Sequence, residues 1–264
     1  MSSTHNKTAK KILLELRDVS VHFGGIKAVS NLNLQLHEGE ILALIGPNGA
    51  GKTTAFNVTT GVYQATTGAV FVNEKNTVKK QPHQVTAMGV ARTFQNIRLF
   101  KELSIRENIL IALDRTSSKS FLRALIKPTS FWREEAEKEI FVEKLLKIFE
   151  LENISEDSTA KNLPYGVQRR LEIARAIATG AKILLLDEPA AGMNGQETAK
   201  LMETIRFIRD HFSLSILLIE HDMRLVMGIS DRIVVLEYGK KTAEGMPKEI
   251  QENKAVIKAY LGTE

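Results

Sequence analysis

Residues 46–53 read Gly46-Pro47-Asn48-Gly49-Ala50-Gly51-Lys52-Thr53, the spacing GxxxxGK[ST]. The run follows the apolar stretch Ile41–Ile45 and precedes a stretch of helical character, which is the context a phosphate-binding loop requires. Glycines let the backbone wrap closely around an anion, so that successive N–H groups point inward. The helix start behind the loop adds partial positive charge. In such a loop Lys52 reaches the β- and γ-phosphates of a nucleotide and the Thr53 hydroxyl ligates Mg2+. Gly46, Pro47, Asn48, Gly49, Ala50, Gly51, Lys52, Thr53 and Thr54 are therefore the expected nucleotide contacts.

Outward from the loop, Lys182-Ile183-Leu184-Leu185-Leu186-Asp187-Glu188 reads as an apolar strand ending in two carboxylates. Ligands of parallel sheets sit at the carboxyl ends of strands. Asp187 is then placed to hold Mg2+ through water, and Glu188 to polarise an attacking water. Ile216–Ile219 and Ile233–Leu236 are continuous apolar runs, as expected of strands buried on both faces. Leu13–Val21, Asn31–Leu36 and Ala69–Val72 read as further strands. From about Ser104 to Leu151 the chain is charged, poor in Gly and helical in period. Ser104-Ile105-Arg106-Glu107 fits a capping box ahead of Ile109–Leu113. A second helix is expected over Phe131–Glu150, with Phe141, Leu145, Ile148 and Phe149 on one face. The expected architecture is a doubly wound α/β core with a helical insertion.

Composition narrows the function classes. The chain has 264 residues, 43% hydrophobic and 25% charged, the balance of a globular protein with a substantial core. It has no Cys, which excludes disulfides and thiolate metal sites. His5, His22, His37, His83 and His211 show no ligand spacing, so no zinc site is expected. No apolar h-region follows the start, and no apolar run approaches the ~18 residues of a membrane span. The net charge is +5, but Lys7, Lys10 and Lys11 supply three of those charges ahead of the first acid, Glu15. Residues 1–11 are read as a flexible basic tail, and no nucleic-acid partner is expected. Arg115, Lys119, Arg123 and Lys127 recur every four residues, with Phe121/Leu125 and Leu122/Ile126 at the same spacing and Pro128 as the stop. This reads as a short basic amphipathic helix, either packed on the insertion's own core or facing anionic lipid or a loop of a membrane partner.

Taken in chain order, these motifs resemble the ATP-binding subunit of ABC transporters through nearly the whole chain. Phe23, in Val21-His22-Phe23-Gly24-Gly25, stands where that family places an aromatic that stacks on adenine. Gln95, in Ala91-Arg92-Thr93-Phe94-Gln95, is similar to the glutamine that touches Mg2+ and links the core to a helical subdomain. Leu163-Pro164-Tyr165-Gly166-Val167-Gln168 resembles the signature sequence, implying that Tyr165, Gly166, Val167 and Gln168 contact ATP bound on an opposing subunit. Ala191-Gly192-Met193-Asn194 resembles the D-loop, and His221 resembles the switch histidine near the γ-phosphate. The resemblance implies ATP and Mg2+ as ligands. It implies Glu188, His221, Gln95 and Lys52 as catalytic residues, with Thr53, Gln95 and Asp187 at the metal. It further implies a P-loop NTPase core of mostly parallel sheet, with an antiparallel β subdomain and an α-helical subdomain inserted at about 98–165. All of this lies within a single ATP-binding domain, 1–264. Two positions depart from the pattern. Pro164 replaces the usual Ser and can donate neither hydroxyl nor N–H, which leaves the free N–H groups of the helix behind it to meet phosphate. Asn194 replaces the usual Asp.

The runs Gly89–Phe100, Leu163–Ala176, Leu218–Arg232 and Ala259–Gly262 resemble one branch, the larger ATP-binding subunit of bacterial branched-chain amino-acid importers. That resemblance implies integral-membrane permease partners, a second ATP-binding subunit, identical or distinct, and an extracytoplasmic binding protein acting indirectly. It implies peripheral attachment at the cytoplasmic face of the inner membrane. Urea or amide importers and lipopolysaccharide-type exporters share much of the pattern, and a non-transport ABC ATPase is a more distant alternative.

Overall fold

A computed structural model of the chain describes residues 10–114, 129–155, 158–254 and 256. Two sheets carry the fold. The antiparallel one has the order β2-β1-β4-β5, from β1 (Ile12–Phe23), β2 (Ile26–His37), β4 (Thr67–Val72) and β5 (Lys75–Asn76). The second has the order β10-β9-β3-β8-β7-β6. Its strands are β3 (Ile41–Ile45), β6 (Val90–Arg92), β7 (Ile183–Asp187), β8 (Ser215–Ile219), β9 (Arg232–Glu237) and β10 (Lys240–Gly245). Pairing is parallel from β6 to β9, and β10 adds an antiparallel edge. Every residue of β3, β7 and β8 is buried, as their apolar runs Ile41–Ile45, Ile183–Leu186 and Ile216–Ile219 require of strands covered on both faces.

The helices are α1 (Lys52–Thr59), α2 (Pro82–Ala87), α3 (Ile105–Asp114), α4 (Thr129–Ile148), α5 (Tyr165–Ala178), α6 (Gly195–Phe212), α7 (Met223–Ile229) and α8 (Pro247–Gln251). One buried cluster joins Ile109 of α3, Leu145 of α4 and Phe149 to Leu171 and Ile173 of α5, and on to Leu184 and Leu186 of β7. The helical segment therefore packs on the sheet through α5, without a core of its own. A second cluster, on the other side, joins the antiparallel sheet to α1 through Leu14, Leu34 and Phe56. A smaller third cluster gathers Ile45, Val226, Val235 and Ile250 at the C-terminal end.

The capping box is present: Ser104 N donates to Glu107 Oε2 (2.8 Å) and Glu107 N to Ser104 Oγ (3.2 Å). Helix α4 starts and ends two residues earlier than the spacing suggests, and Phe149 is buried just past its end. Strand β2 begins at Ile26, ahead of the expected Asn31, because residues 26–29 pair with Val21–Phe23 of β1; the left-handed φ of 47° at Asn31 breaks the alternation inside the strand. β6 and β10 are absent from the sequence reading. One is only Val-Ala-Arg, and the other is the polar run Lys-Lys-Thr-Ala-Glu-Gly. The basic segment 115–127 and the run Ala259–Gly262 lie outside the described residues, as do residues 1–9 of the basic tail.

Candidate functional site

Strand β3 delivers the chain into the glycine loop at the carboxyl end of the parallel sheet. Gly46 has φ 152°, and a Cβ there would lie 2.1 Å from the Leu236 carbonyl oxygen. Gly51 has φ 100°, and its Cβ would meet the Ala28 carbonyl oxygen at 2.4 Å. Only glycine lets the loop press this closely on β9 and β2. The backbone adds Gly239 N to Ala50 O at 3.0 Å. Gly51 caps α1 with no side-chain acceptor, so the first N–H groups of the helix stay open to an anion. Asn48, Gly49 and Thr53 are exposed, whereas Lys52 is buried. Its ammonium donates to Gly46 O (2.6 Å) and Pro47 O (2.9 Å), carbonyls of its own loop. Burial pulls its pKa below the ordinary lysine value, against the opposing pull of Glu188 and Asp187.

At the end of β7, Glu188 adopts a left-handed φ of 48°. Its carboxylate is held from two sides, by Gln95 Nε2 donating to Oε2 (2.8 Å) and by His221 Nε2 at 2.9 Å from Oε1. These three expected residues come together from β7, the loop after β6 and the loop after β8. Asp187 is buried and paired with Arg92, Nη2 to Oδ2, at 2.7 Å. Phe23 is exposed at the end of β1 and meets Tyr63 edge to face, centroids 5.1 Å apart.

Tyr165, Gly166, Val167 and Gln168 form the first turn of α5, entered through Pro164. The Val167 and Gln168 N–H groups donate to Pro164 O (both 3.0 Å), and the Gln168 side chain turns back to Leu163 O (2.8 Å). Gly192 packs near the Tyr165 ring, with a hypothetical Cβ at 3.6 Å. Asn194 is the N-cap of α6, accepting from Gln196 N (2.9 Å) and Glu197 N (3.0 Å). Among the described residues no hydrogen bond joins the phosphate loop to Tyr165–Gln168. These segments occupy separate parts of one chain.

Five residues in or beside the site escaped the sequence reading: Arg92, Tyr63, Glu220, Arg169 and Glu172. Buried Glu220 accepts from Ala190 N (2.8 Å), His221 N (2.7 Å) and Asp222 N (3.2 Å), fixing the loop that carries His221. Buried Arg169 donates to Phe94 O (2.6 Å), Gln95 O (2.8 Å), Glu172 Oε2 (2.8 Å) and Tyr165 Oη (2.9 Å). Burial pushes the Glu172 carboxyl above its ordinary value despite this partner and the N–H groups of Arg98 and Phe94. Arg92 and Glu220 at strand ends, and Arg169 and Glu172 three residues apart on α5, were the available signal.

The donor set suits a hard cation. Thr53, Gln95 and Asp187 offer oxygen, and the described residues include no group of three or more His, Cys, Asp or Glu able to hold a metal ion. Mg2+ characteristically binds this way, through one or two protein oxygens and the phosphates of its substrate.

A phosphate loop, a strand ending in Asp-Glu and a histidine on the neighbouring strand's loop define a nucleotide-hydrolysing α/β cassette. The family model described as "ABC transporter" matches residues 29–191, and one described as "Branched-chain amino acid ATP-binding cassette transporter" matches residues 243–264. The chain belongs to the ABC transporter family and is an ATP-hydrolysing subunit of it. It is 47% identical to the high-affinity branched-chain amino acid transport ATP-binding protein LivG of Escherichia coli K12, over 95% of this chain and 98% of that protein. Identity to BraF of Pseudomonas aeruginosa, described in the same terms, is 46% over 95% and 98%. The crystal structure of the ADP conformation of MJ1267, an ATP-binding cassette of an ABC transporter, superposes with a TM-score of 0.80. Its sequence identity is 29%, over 96% of this chain and 100% of that one.

Proposed function

We propose that this chain drives uptake of branched-chain amino acids, as the ATP-hydrolysing subunit of an importer whose permeases span the membrane. It is read as one cassette, 1–264, with a helical subdomain inserted at about 98–165 and a basic tail over 1–11. Among the described residues no helix is long and apolar enough to cross a membrane. Peripheral attachment at the cytoplasmic face of the inner membrane, through those permeases, follows from this reading. The likeness to LivG and BraF along nearly the whole chain supports the cargo class.

The hydrolytic reading rests on one observation: Glu188 is clasped by Gln95 and His221 at the strand end beside the glycine loop. ATP phosphates enter the loop, and Lys52 exchanges the carbonyls of Gly46 and Pro47 for β- and γ-oxygens. The N–H groups of 48–54 surround the phosphates, and Phe23 offers its ring to the adenine. Glu188 accepts a hydrogen bond from the attacking water and orients it in line with the γ-phosphorus. Gln95 and His221 hold Glu188, and His221 also faces the γ-phosphate. Mg2+, when bound, neutralises charge on the β- and γ-oxygens. Thr53, Gln95 and Asp187 are the residues that would hold it.

Tyr165–Gln168 serve the nucleotide of a second ATPase in a head-to-tail pair, and Gly192–Asn194 line the seam between the two. Pro164 withholds a hydroxyl there, which costs closure at most about 1.5–3 kcal/mol. If the second ATPase is a different chain, the two nucleotide sites are unequal. ATP closes the pair more strongly than ADP, and that difference in affinity drives the permeases. The extracytoplasmic binding protein takes part only through the permeases.

Affinity purification of the chain from detergent-solubilised membranes, with mass spectrometry of its companions, tests this assignment. Two multi-span permeases, a distinct second ATPase and a neighbouring binding protein that holds leucine, isoleucine or valine are the expected result. A binding protein for urea or amides, a lipopolysaccharide-type export partner, or companions outside the membrane would overturn the cargo while leaving the ATPase intact.

A further inference from the structure

Arg92 is a buried cation whose position the site chemistry above does not use. It stands on β6, three residues before Gln95. Its Nη2 donates to Asp187 Oδ2 at 2.7 Å, its Nη1 to Asn57 Oδ1 at 2.7 Å, and Nη1 also reaches Thr60 Oγ1 at 3.3 Å. The guanidinium lies 5.4 Å from the Phe56 ring centroid and 4.9 Å from that of Phe94. Its Nε is buried with no hydrogen-bond partner. Both side chains of the Arg92–Asp187 pair are more than nine-tenths buried.

A buried ion pair of this kind adds little net stability over apolar residues of similar volume, because both ions lose their water. An unpaired Nε adds to that cost. The pair is therefore poorly explained as glue. Its location is specific: the guanidinium neutralises the carboxylate expected to face the metal, and it is anchored to α1, the helix that begins in the phosphate loop. A fixed positive charge one carboxylate away from a divalent cation weakens the hold on that cation. The fork geometry of Arg also dictates which oxygen is taken and which is left free.

We propose that Arg92 is a positioning residue that sets metal retention: it occupies Oδ2 of Asp187, leaves Oδ1 to the metal's shell, and lowers affinity for the divalent cation that accompanies the nucleotide. The product metal–ADP complex is then released faster than an unopposed Asp187 would allow. The inference rests on the reading of Asp187 as the carboxylate that faces Mg2+.

The test uses Mn2+ as the probe, binding to the purified full chain saturated with ADP, with free Mn2+ read by electron paramagnetic resonance. Arg92→Gln, which keeps a hydrogen bond but removes the charge, should lower the Mn2+ dissociation constant about tenfold. Arg92→Lys keeps the charge but cannot hold Asn57 and Asp187 together, and should lower it by about two- to threefold. Asp187→Asn should raise it. Should Arg92→Gln not fold, Arg92→Lys decides alone, since an unchanged or raised constant overturns the proposal. An unchanged or weaker Mn2+ affinity in Arg92→Gln also overturns it, provided Asp187→Asn weakens binding. If Asp187→Asn changes nothing, the reading of Asp187 fails, and the role of Arg92 with it. A merely structural Arg92 would alter melting temperature without this ordered change in metal affinity.

Discussion

Glu188 is held from two sides at the end of β7. Its two carboxylate oxygens are each engaged, by Gln95 and by His221, so the group is oriented before any nucleotide arrives. Replacing it by Gln keeps the shape and one acceptor oxygen but removes the basicity. Glu188→Gln should bind ATP within about twofold of the native chain and lose turnover by about 10²–10⁴-fold, the range for a general base. Equilibrium nucleotide binding and single-turnover hydrolysis, measured side by side, check this. Turnover at the native rate would remove Glu188 from its role. At this scale, what the sequence revealed depended on distance along the chain. Lys52, Thr53, Asp187 and Glu188 stand out as candidates because the roles proposed for them are read from local spacing. Arg92 does not, since its partner Asp187 is 95 positions away. Arg169 is equally silent, because the carbonyls it serves lie 74 and 75 positions upstream. Pair partners this remote leave no periodic trace in one sequence.

At the scale of elements, α6 shows how a departure from a family pattern can carry a local reason. Asn194 stands where Asp is usual, and its side chain accepts from two backbone N–H groups at the helix start while Glu197 Oε2 accepts from Asn194 N at 2.9 Å. Asn and Asp cap helices comparably well. Asn194→Asp should therefore leave stability within about 0.5 kcal/mol, whereas Asn194→Ala should cost about 1 kcal/mol, both read from urea midpoints. Equal losses in the two variants would assign Asn194 to something other than capping. The apolar strands of the parallel sheet and the capping box before α3 were legible as well, since each rests on a short pattern of residue types. β6 and β10 were not. A strand at the edge of a sheet gains its structure from one neighbour's free N–H and C=O groups, and such pairing places few demands on side chains.

Across the whole molecule, the two sheets are clamped together around Glu40. It sits between β2 and β3 and accepts from Arg232 Nε at 2.8 Å, Arg232 Nη2 at 3.1 Å and His37 N at 2.8 Å. Arg232 also pairs with Glu244 of β10 and donates to Gln35 O of β2 (2.5 Å). Burial alone would raise the Glu40 pKa, but the Arg232 and His37 bonds outweigh it and hold the carboxyl below its ordinary value. A carboxyl with a depressed folded value stabilises the protein at neutral pH. That contribution is lost as pH falls below the usual range near ~4.3 and through the folded value. Glu40→Gln should cost about 2 kcal/mol at pH 7, the loss of a charged hydrogen bond. The gap in melting temperature from the native chain should close as the pH is lowered into that range, and a gap constant with pH would show that the charge of Glu40 is immaterial.

One backbone angle reaches further. Glu188 is held at φ 48°, a conformation in which a long side chain costs about 1–3 kcal/mol and glycine costs almost nothing. A population of variants ranked only by heat resistance would drift from glutamate toward glycine or asparagine at this position, shedding the strain and the chemistry together. Under the proposed role of Glu188, selection for hydrolysis would hold glutamate there against that drift.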